Sequence, residues 1–192
     1  KDLPINRGRH NFGSLVYDYY RDGTVALEAF KAGEYDFRQE ISSKRWATGY
    51  TGDAFDSGRA VTKELIHENP TGMQAFVLNT RRDKFSDPEV RKALAYAFDF
   101  EWTNHAIFYD AYTRTHSYFS NSEMAATALP TPEELKILEP IKDQVPPEVF
   151  TKVYQAPTTD GNGKIRRQLR VAKRMLMKAG WSLKNNQLIN DK

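Results

Sequence analysis

Apolar and polar positions along this chain predict short strands alternating with short helices. Residues 15–20 alternate and are rich in aromatic and β-branched types, which reads as a strand. Asp22-Gly23-Thr24 then turns the chain, with Thr24 placed as the N-cap of a helix over residues 25–32. Gly33 stops that helix in the left-handed conformation that glycine adopts cheaply, and residues 35–38 read as a second strand. Strand, helix and strand in so short a span form the compact crossover of a mixed α/β sheet. Residues 41–50 are expected to be helical. Residues 61–67 read as a strand, broken by the turn signal Asn69-Pro70-Thr71-Gly72. Residues 73–78 are the most apolar strand candidate and are expected to be central and buried on both faces.

Helix signals dominate the second half. In Ser86-Asp87-Pro88-Glu89 a Ser or Asp caps, Pro88 sits where its missing N–H costs nothing, and Glu89 suits the helix dipole. Val90, Leu94, Ala97 and Phe98 then recur at helical spacing as the inward stripe. A further helix is expected over 101–109 and a long ordered loop over 112–129, the kind of segment that often carries function. Thr131-Pro132-Glu133-Glu134 starts another helix, after which Pro140, Pro146 and Pro147 divide the chain into short pieces. Residues 158–163 form a polar, glycine-rich connector. A helix over 164–179 follows, with Ile165, Leu169, Ala172, Leu176 and Ala179 on one stripe and Gly180 as terminator. Residues 181–189 read as a hairpin around Asn185-Asn186. No internal repeat interrupts this order.

Composition narrows the class. The 192 residues suffice for one well-packed domain or barely two. A mean hydropathy of -0.68 argues for a soluble protein, and an aromatic share of 12% suits either a core or an apolar cleft. The formal charge of +3 is a small excess of 28 basic over 25 acidic residues, with both signs alternating through most of the chain. That distribution argues against nucleic-acid binding, which concentrates positive charge on one face. The exception is the helix over 164–178. Its functional reading is contact with an anion, a membrane or nucleic acid, or a protein- or anion-surface interaction module; the reading favoured over it is a solvated helix face. There is no cysteine, so disulfide and thiolate chemistry are excluded, and no apolar run has the length of a membrane span. The opening Lys1-Asp2-Leu3-Pro4 reads as mid-protein sequence, with any signal segment outside this chain.

Candidate chemistry is sparse. His10, His67, His105 and His116 are far apart and lack metal-ligand spacing. Asp160-Gly161-Asn162-Gly163-Lys164 lacks the spacing and the Ser/Thr of a phosphate loop. The stretch 53–64 has an acid, a glycine and a glutamate where a calcium loop has them, but Phe55 and Ser57 occupy two ligand positions. The paired carboxylates, Glu133 with Glu134 and Asp18 with Asp22, look solvated, and nothing sets two across a cleft. No metal, no cofactor and no catalytic constellation is therefore expected; a Glu–His hydrolase is the enzyme alternative, and nothing in the spacing supports it.

Three motifs nevertheless form a series. The stretch from Asp22-Gly23-Thr24-Val25 through Gly33-Glu34-Tyr35-Asp36-Phe37 resembles the helix and Gly-x-x-Asp strand of the family 5 extracellular solute-binding proteins. Those are the dipeptide, oligopeptide and nickel receptors of bacterial ABC importers. Phe76-Val77-Leu78-Asn79-Thr80, Phe85-Ser86-Asp87-Pro88-Glu89-Val90-Arg91-Lys92-Ala93-Leu94 and Ala97-Phe98-Asp99 resemble that family's most specific signature. Ala172-Lys173-Arg174-Met175-Leu176-Met177-Lys178-Ala179-Gly180-Trp181 is similar to its later helix end. Asn69-Pro70-Thr71-Gly72-Met73-Gln74, Asp99-Phe100-Glu101-Trp102-Thr103-Asn104 and Tyr112-Thr113-Arg114 with Ser117-Tyr118-Phe119 resemble the subgroup that imports oligopeptides and the peptide-nucleotide microcin C.

The resemblance implies an α/β fold, specifically the mixed-sheet lobe of a class II periplasmic-binding-protein clamshell. Residues 1–192 would form a single partial lobe, with the first lobe and the C-terminal remainder outside the chain. It further implies a monomeric, non-enzymatic receptor, periplasmic or extracellular and membrane-associated, whose partners are a peptide ligand and the permease subunits. The acid that pairs with a peptide's N-terminal amine in relatives lies beyond this chain. Trp46, Asn79, Tyr118 and Phe119, aromatics or an amide on loops and strand ends, are the candidate ligand-binding residues; packing or capping is the alternative for each. Arg81 and Arg82 could meet a ligand carboxylate, though plain surface positions suit them better.

Overall fold

The structure, a computed structural model, describes residues 3–190, so the Lys1-Asp2 opening lies outside the described residues. The chain divides into two compact units, residues 1–63 and 64–192.

In the first unit Asp22, not Thr24, caps the first helix, α1 (Gly23–Ala32): its Oδ1 accepts from Thr24 N at 2.8 Å and Val25 N at 3.1 Å. A carboxylate satisfies two orphan donors there and also faces the positive end of the helix dipole. Gly33 ends α1 at φ 84°, as expected. The helix expected over 41–50 is shorter, α2 (Ser43–Thr48), capped by Ser42. One further turn, α3 (Asp53–Asp56), occupies the start of the calcium-loop look-alike. Ala26, Leu27 and Ala54 are buried. Around them runs a file of rings: Trp46, Tyr50, Phe55, Phe30, Tyr35 and Tyr20, successive centroids 5.5 to 6.4 Å apart. These tilted and edge-on pairs hold α1, α2 and α3 together.

In the second unit α4 (Asp83–Ser86) leads directly into α5 (Pro88–Tyr96), where Asp87 caps by accepting from Glu89 N at 2.8 Å. Asp99 caps α6 (Phe100–Phe108), and Thr131 with Glu134 forms a reciprocal capping box on α7 (Pro132–Leu138). Two 3-10 segments, Glu139–Gln144 and Pro147–Phe150, follow where the prolines forbid a longer helix. The last helix, α8 (Arg166–Lys178), packs on α5. The buried residues of these two helices are Val90, Ala93 and Ala172, and small side chains at the contact allow close approach. Leu94 and Leu169, expected on the inward stripes, are 39% and 46% exposed. The hairpin is as expected: β1 (Trp181–Lys184) pairs antiparallel with β2 (Gln187–Asn190), in the register Trp181 with Asn190. Asn185 and Asn186 both take positive φ, the type I′ geometry that asparagine tolerates.

The mixed sheet is where structure and expectation part. Among the described residues that hairpin is the only sheet. Residues 15–20, 35–38, 61–67 and 73–78 form neither helix nor ladder. Most of their apolar side chains are open: Tyr19 is 93% exposed, Ile66 97%, and Val77, expected at the centre of the sheet, 92%. Strand-like alternation specifies one face for burial, but a strand also needs a neighbour for its N–H and C=O groups, and neither unit supplies one. The surface records the same deficit. The accessible area is 16333 Å², whereas two compact bodies of these sizes, even apart, expose roughly 11,000 Å².

Candidate ligand-binding site

The four candidate residues divide between the units. Trp46 lies on α2 of the first unit, 37% exposed, its ring 5.6 Å from Tyr50 at the end of the aromatic file. Asn79, Tyr118 and Phe119 belong to the second unit. Asn79 starts a turn: its Oδ1 accepts from Arg81 N at 3.1 Å and from Arg81 Nε at 3.4 Å, and its backbone O accepts from Arg82 N. Its amide oxygen is thus engaged locally, and so is the Arg81 guanidinium.

Tyr118 and Phe119 are different. They sit together on the long loop 112–129, 80% and 50% exposed, yet the loop beneath them is held from several sides. Thr71 N donates to Ser120 O at 2.9 Å, and Asn121 Nδ2 donates to Asn69 O at 2.7 Å and His67 O at 3.3 Å. Asn121 takes φ 59°, a left-handed conformation that asparagine accepts more readily than most residues. Hydroxyls of Ser117, Ser120 and Ser122 bond the loop's own backbone. Upstream, the Arg114 guanidinium lies 5.1 Å from the Phe98 ring centre and 5.2 Å from that of Phe100. His116 Nδ1 accepts from Ala156 N at 3.3 Å. Two open aromatic rings on a fastened loop offer a stacking and apolar surface at small entropic cost on binding.

Two polar clusters escaped the sequence reading. In the first unit Glu40, its side chain 2% exposed, accepts from Arg38 Nη2 at 3.1 Å, Arg45 Nε at 3.2 Å and Tyr50 Oη at 3.0 Å. It also accepts from Ile41 N and Ser42 N. Burial alone would raise its pKa, but these donors, Arg45 foremost, reverse that and hold it at about 2. Arg38 reaches Gly23 O and the hydroxyls of Tyr35 and Tyr50, so the cluster ties the start of α1 to α2. These hydrogen bonds outweigh the opposing effect of burial and raise the Arg38 pKa above its ordinary value.

In the second unit the connector 158–163 folds onto the start of α6. Thr159 Oγ1 bonds both Asp99 Oδ1 at 2.5 Å and Glu101 Oε2 at 3.1 Å, and Thr159 N donates to Glu101 Oε2 at 3.0 Å. Gly163, at φ 74°, brings its backbone so near Trp102 that a Cβ there would stand 3.1 Å from the indole. Asp99 is 8% exposed, and its Oδ2 is buried without a partner. In this cluster the Thr159 hydroxyl is held between two carboxylates and closes the connector. His105 Nδ1 does meet Asp110 Oδ2 at 2.9 Å, on an exposed helix end.

The arrangement therefore offers exposed rings, pinned loops and structural ion pairs, which suit binding. Among the described residues no helix is long and apolar enough to cross a membrane, and no group of three or more His, Asp or Glu side chains could hold a metal ion. Comparison with known proteins gives the context. Residues 5–191 match the family described as bacterial extracellular solute-binding proteins, family 5 middle. The chain is 48% identical over 189 residues to the uncharacterized protein YejA of Escherichia coli, covering 98% of this chain and 31% of that protein. It is 46% identical over 192 residues to the probable peptide-binding protein YejA of Agrobacterium fabrum, covering 99% of this chain and 31% of the relative. It is 36% identical over 196 residues to the peptidoglycan-binding protein YepA of the same organism, covering 98% and 32%. The chain thus spans about a third of the length of these relatives, and with the family matched along nearly all of it, this chain belongs to the family 5 bacterial extracellular solute-binding proteins.

Proposed function

We propose that the chain is the peptide-capturing component of an ABC importer, taking oligopeptides or microcin-like cargo outside the cytoplasm and delivering them to a membrane permease. The carrying observation is its 46% identity, along nearly its whole length, to a probable peptide-binding protein. The fastened loop bearing Tyr118 and Phe119 supports the same reading, because open rings on a fixed backbone can accept varied peptide side chains. In this reading residues 1–192 form most of one lobe of a hinged receptor. Ligand stabilises the closed form, since only there do both lobes touch it. Trp46, Asn79, Tyr118 and Phe119 face the cargo, which is held without any bond being made or broken.

Calorimetry with di- to hexapeptides tests this. The expected result is micromolar or tighter binding by a receptor carrying both lobes and much weaker binding by residues 1–192 alone. Equal affinities would refute the two-lobed account, and turnover of any peptide in the panel would refute the non-enzymatic one. A narrower cargo, peptides released from peptidoglycan, is favoured by the 36% identity to a peptidoglycan-binding protein. A peptidoglycan-derived peptide in the same panel decides it: preference for that peptide over unmodified ones of equal length supports the narrower reading, and indifference removes it.

A further inference from the structure

Residues 161–190 contain eight Lys or Arg and no Asp or Glu, leaving 20 basic against 25 acidic residues in the rest of the chain. Six of the eight lie on α8 and are exposed: Arg166, Arg167, Arg170, Lys173, Arg174 and Lys178. At about 100° per residue they cover an arc of about 140° opposite the buried Ala172, along about 18 Å of helix. Among the described residues none of the six has an ion-pair partner.

This placement works against the helix that carries it. Arg166 with Arg170, Arg170 with Arg174, and Arg174 with Lys178 are like-charge pairs at i,i+4, which repel. Arg166 and Arg167 sit in the first turn, where the dipole disfavours cations, with no acid beside them and no side-chain cap from Ile165. By contrast α1, α5, α6 and α7 all begin with a capping side chain. A face kept only for solubility mixes both signs; this one does not.

We propose that the basic face of α8 docks on an anionic phospholipid surface. Contact area decides between this and an acidic protein. One helix face of this length offers about 200 Å², against about 800 Å² per partner in a stable protein complex. An anionic bilayer requires no shaped partner surface, and clusters of four to eight Lys or Arg near it are each attracted substantially. α8 packs on α5 around the buried Ala172, opposite the basic arc, so the helix lies on the surface and does not insert. Met177, 59% exposed, stands within the basic arc, among Arg167, Arg170, Lys173 and Arg174. It supplies an apolar contact to the headgroup layer.

Co-sedimentation of the two-lobed receptor that contains this chain with mixed phosphatidylglycerol–phosphatidylcholine vesicles, with pure phosphatidylcholine vesicles and with an oligo-glutamate peptide on beads tests this independently of any peptide cargo. Expected are binding to the phosphatidylglycerol vesicles at low salt, loss at high salt, and none to pure phosphatidylcholine. Arg170→Gln and Arg174→Gln are each expected to weaken it about fivefold, while Lys136→Gln on α7, removing the same charge elsewhere, leaves it unchanged. Circular dichroism confirms that each variant is folded. Equal binding to both vesicle types, equal effects of all three substitutions, or capture by oligo-glutamate without binding to vesicles would each overturn the proposal.

Discussion

Thr159 and Asp99, 60 residues apart in sequence, meet through a hydrogen bond of 2.5 Å between the threonine hydroxyl and the carboxylate that caps α6. The hydroxyl has one proton and two carboxylate neighbours, since Glu101 Oε2 lies 3.1 Å away. It also accepts from Gly161 N at 3.1 Å, so one side chain organises the whole turn of the connector. Asp99 Oδ1 meanwhile accepts from Trp102 N at 3.1 Å. Capping of α6 and closure of the connector thus depend on the same oxygen.

Thr159→Val keeps the shape and removes the hydroxyl, leaving Asp99 with less compensation for its burial. The expected loss is about 1–3 kcal/mol, read as a lower denaturant midpoint with unchanged slope. Hydrogen exchange should quicken at the amides of Gly161 and of the first turn of α6. Unchanged exchange at Gly161 would show that the connector is held by something else.

Glu40 sets a pH dependence with a definite sign. Its pKa falls from an ordinary 4.5 to about 2 in the folded chain, so its contribution is complete above about 4.5 and disappears as the pH drops through 2. Because the side chain is only 2% exposed, that contribution is on the order of 3 kcal/mol. Glu40→Gln should lower the stability of the first unit by a similar amount at neutral pH, leaving Arg38 and Arg45 without their shared carboxylate. It should also flatten the acid limb of the stability curve. A variant whose acid limb matches the parent would show that other carboxylates govern it.

These clusters mark the limit of what the sequence disclosed. Helix starts at Asp87 and Thr131, the stop at Gly33 and the turn at Asn185-Asn186 were legible, because caps and turns are decided by residues within a few positions of one another. Even the error at Thr24 was local, the cap lying two residues earlier at Asp22. Thr159 carried no comparable signal, since its partners Asp99 and Glu101 are 58 to 60 positions away. The apolar alternation of residues 15–20 and 73–78 predicted strands, yet no ladder forms because alternation specifies a face and not a neighbour. For the candidate site, the sequence picked out Tyr118 and Phe119 as aromatics on a loop. The fastening by Thr71 and Asn121, which keeps those rings presented, required the fold.

The open apolar segments carry a prediction of their own. With Tyr19, Ile66, Phe76 and Val77 each more than four-fifths exposed, residues 1–192 alone should bind a hydrophobic dye such as ANS strongly and melt with low cooperativity. A longer form of the protein that supplies neighbouring strands should suppress the dye signal and sharpen the melt. If residues 1–192 alone melt sharply without dye binding, these segments are covered by a rearrangement within the chain.

Tyr118 and Phe119 provide the most direct probe of cargo binding, because their exposure separates affinity from stability. Removing rings that are 80% and 50% open should leave the melting temperature of Tyr118→Ala and Phe119→Ala nearly unchanged. If those rings cover a bound peptide, each variant of the two-lobed receptor should lose about tenfold in affinity by calorimetry, the contact value of one aromatic side chain. Asn121→Ala supplies the contrast. It leaves both rings in place but removes the bonds to His67 O and Asn69 O, so the loop must be ordered when ligand arrives. Its affinity should fall through a less favourable binding entropy, with the apolar contacts, and hence the heat-capacity change, retained. Full affinity in both ring variants would remove this loop from the binding surface and leave Trp46 and Asn79 as the candidates to test.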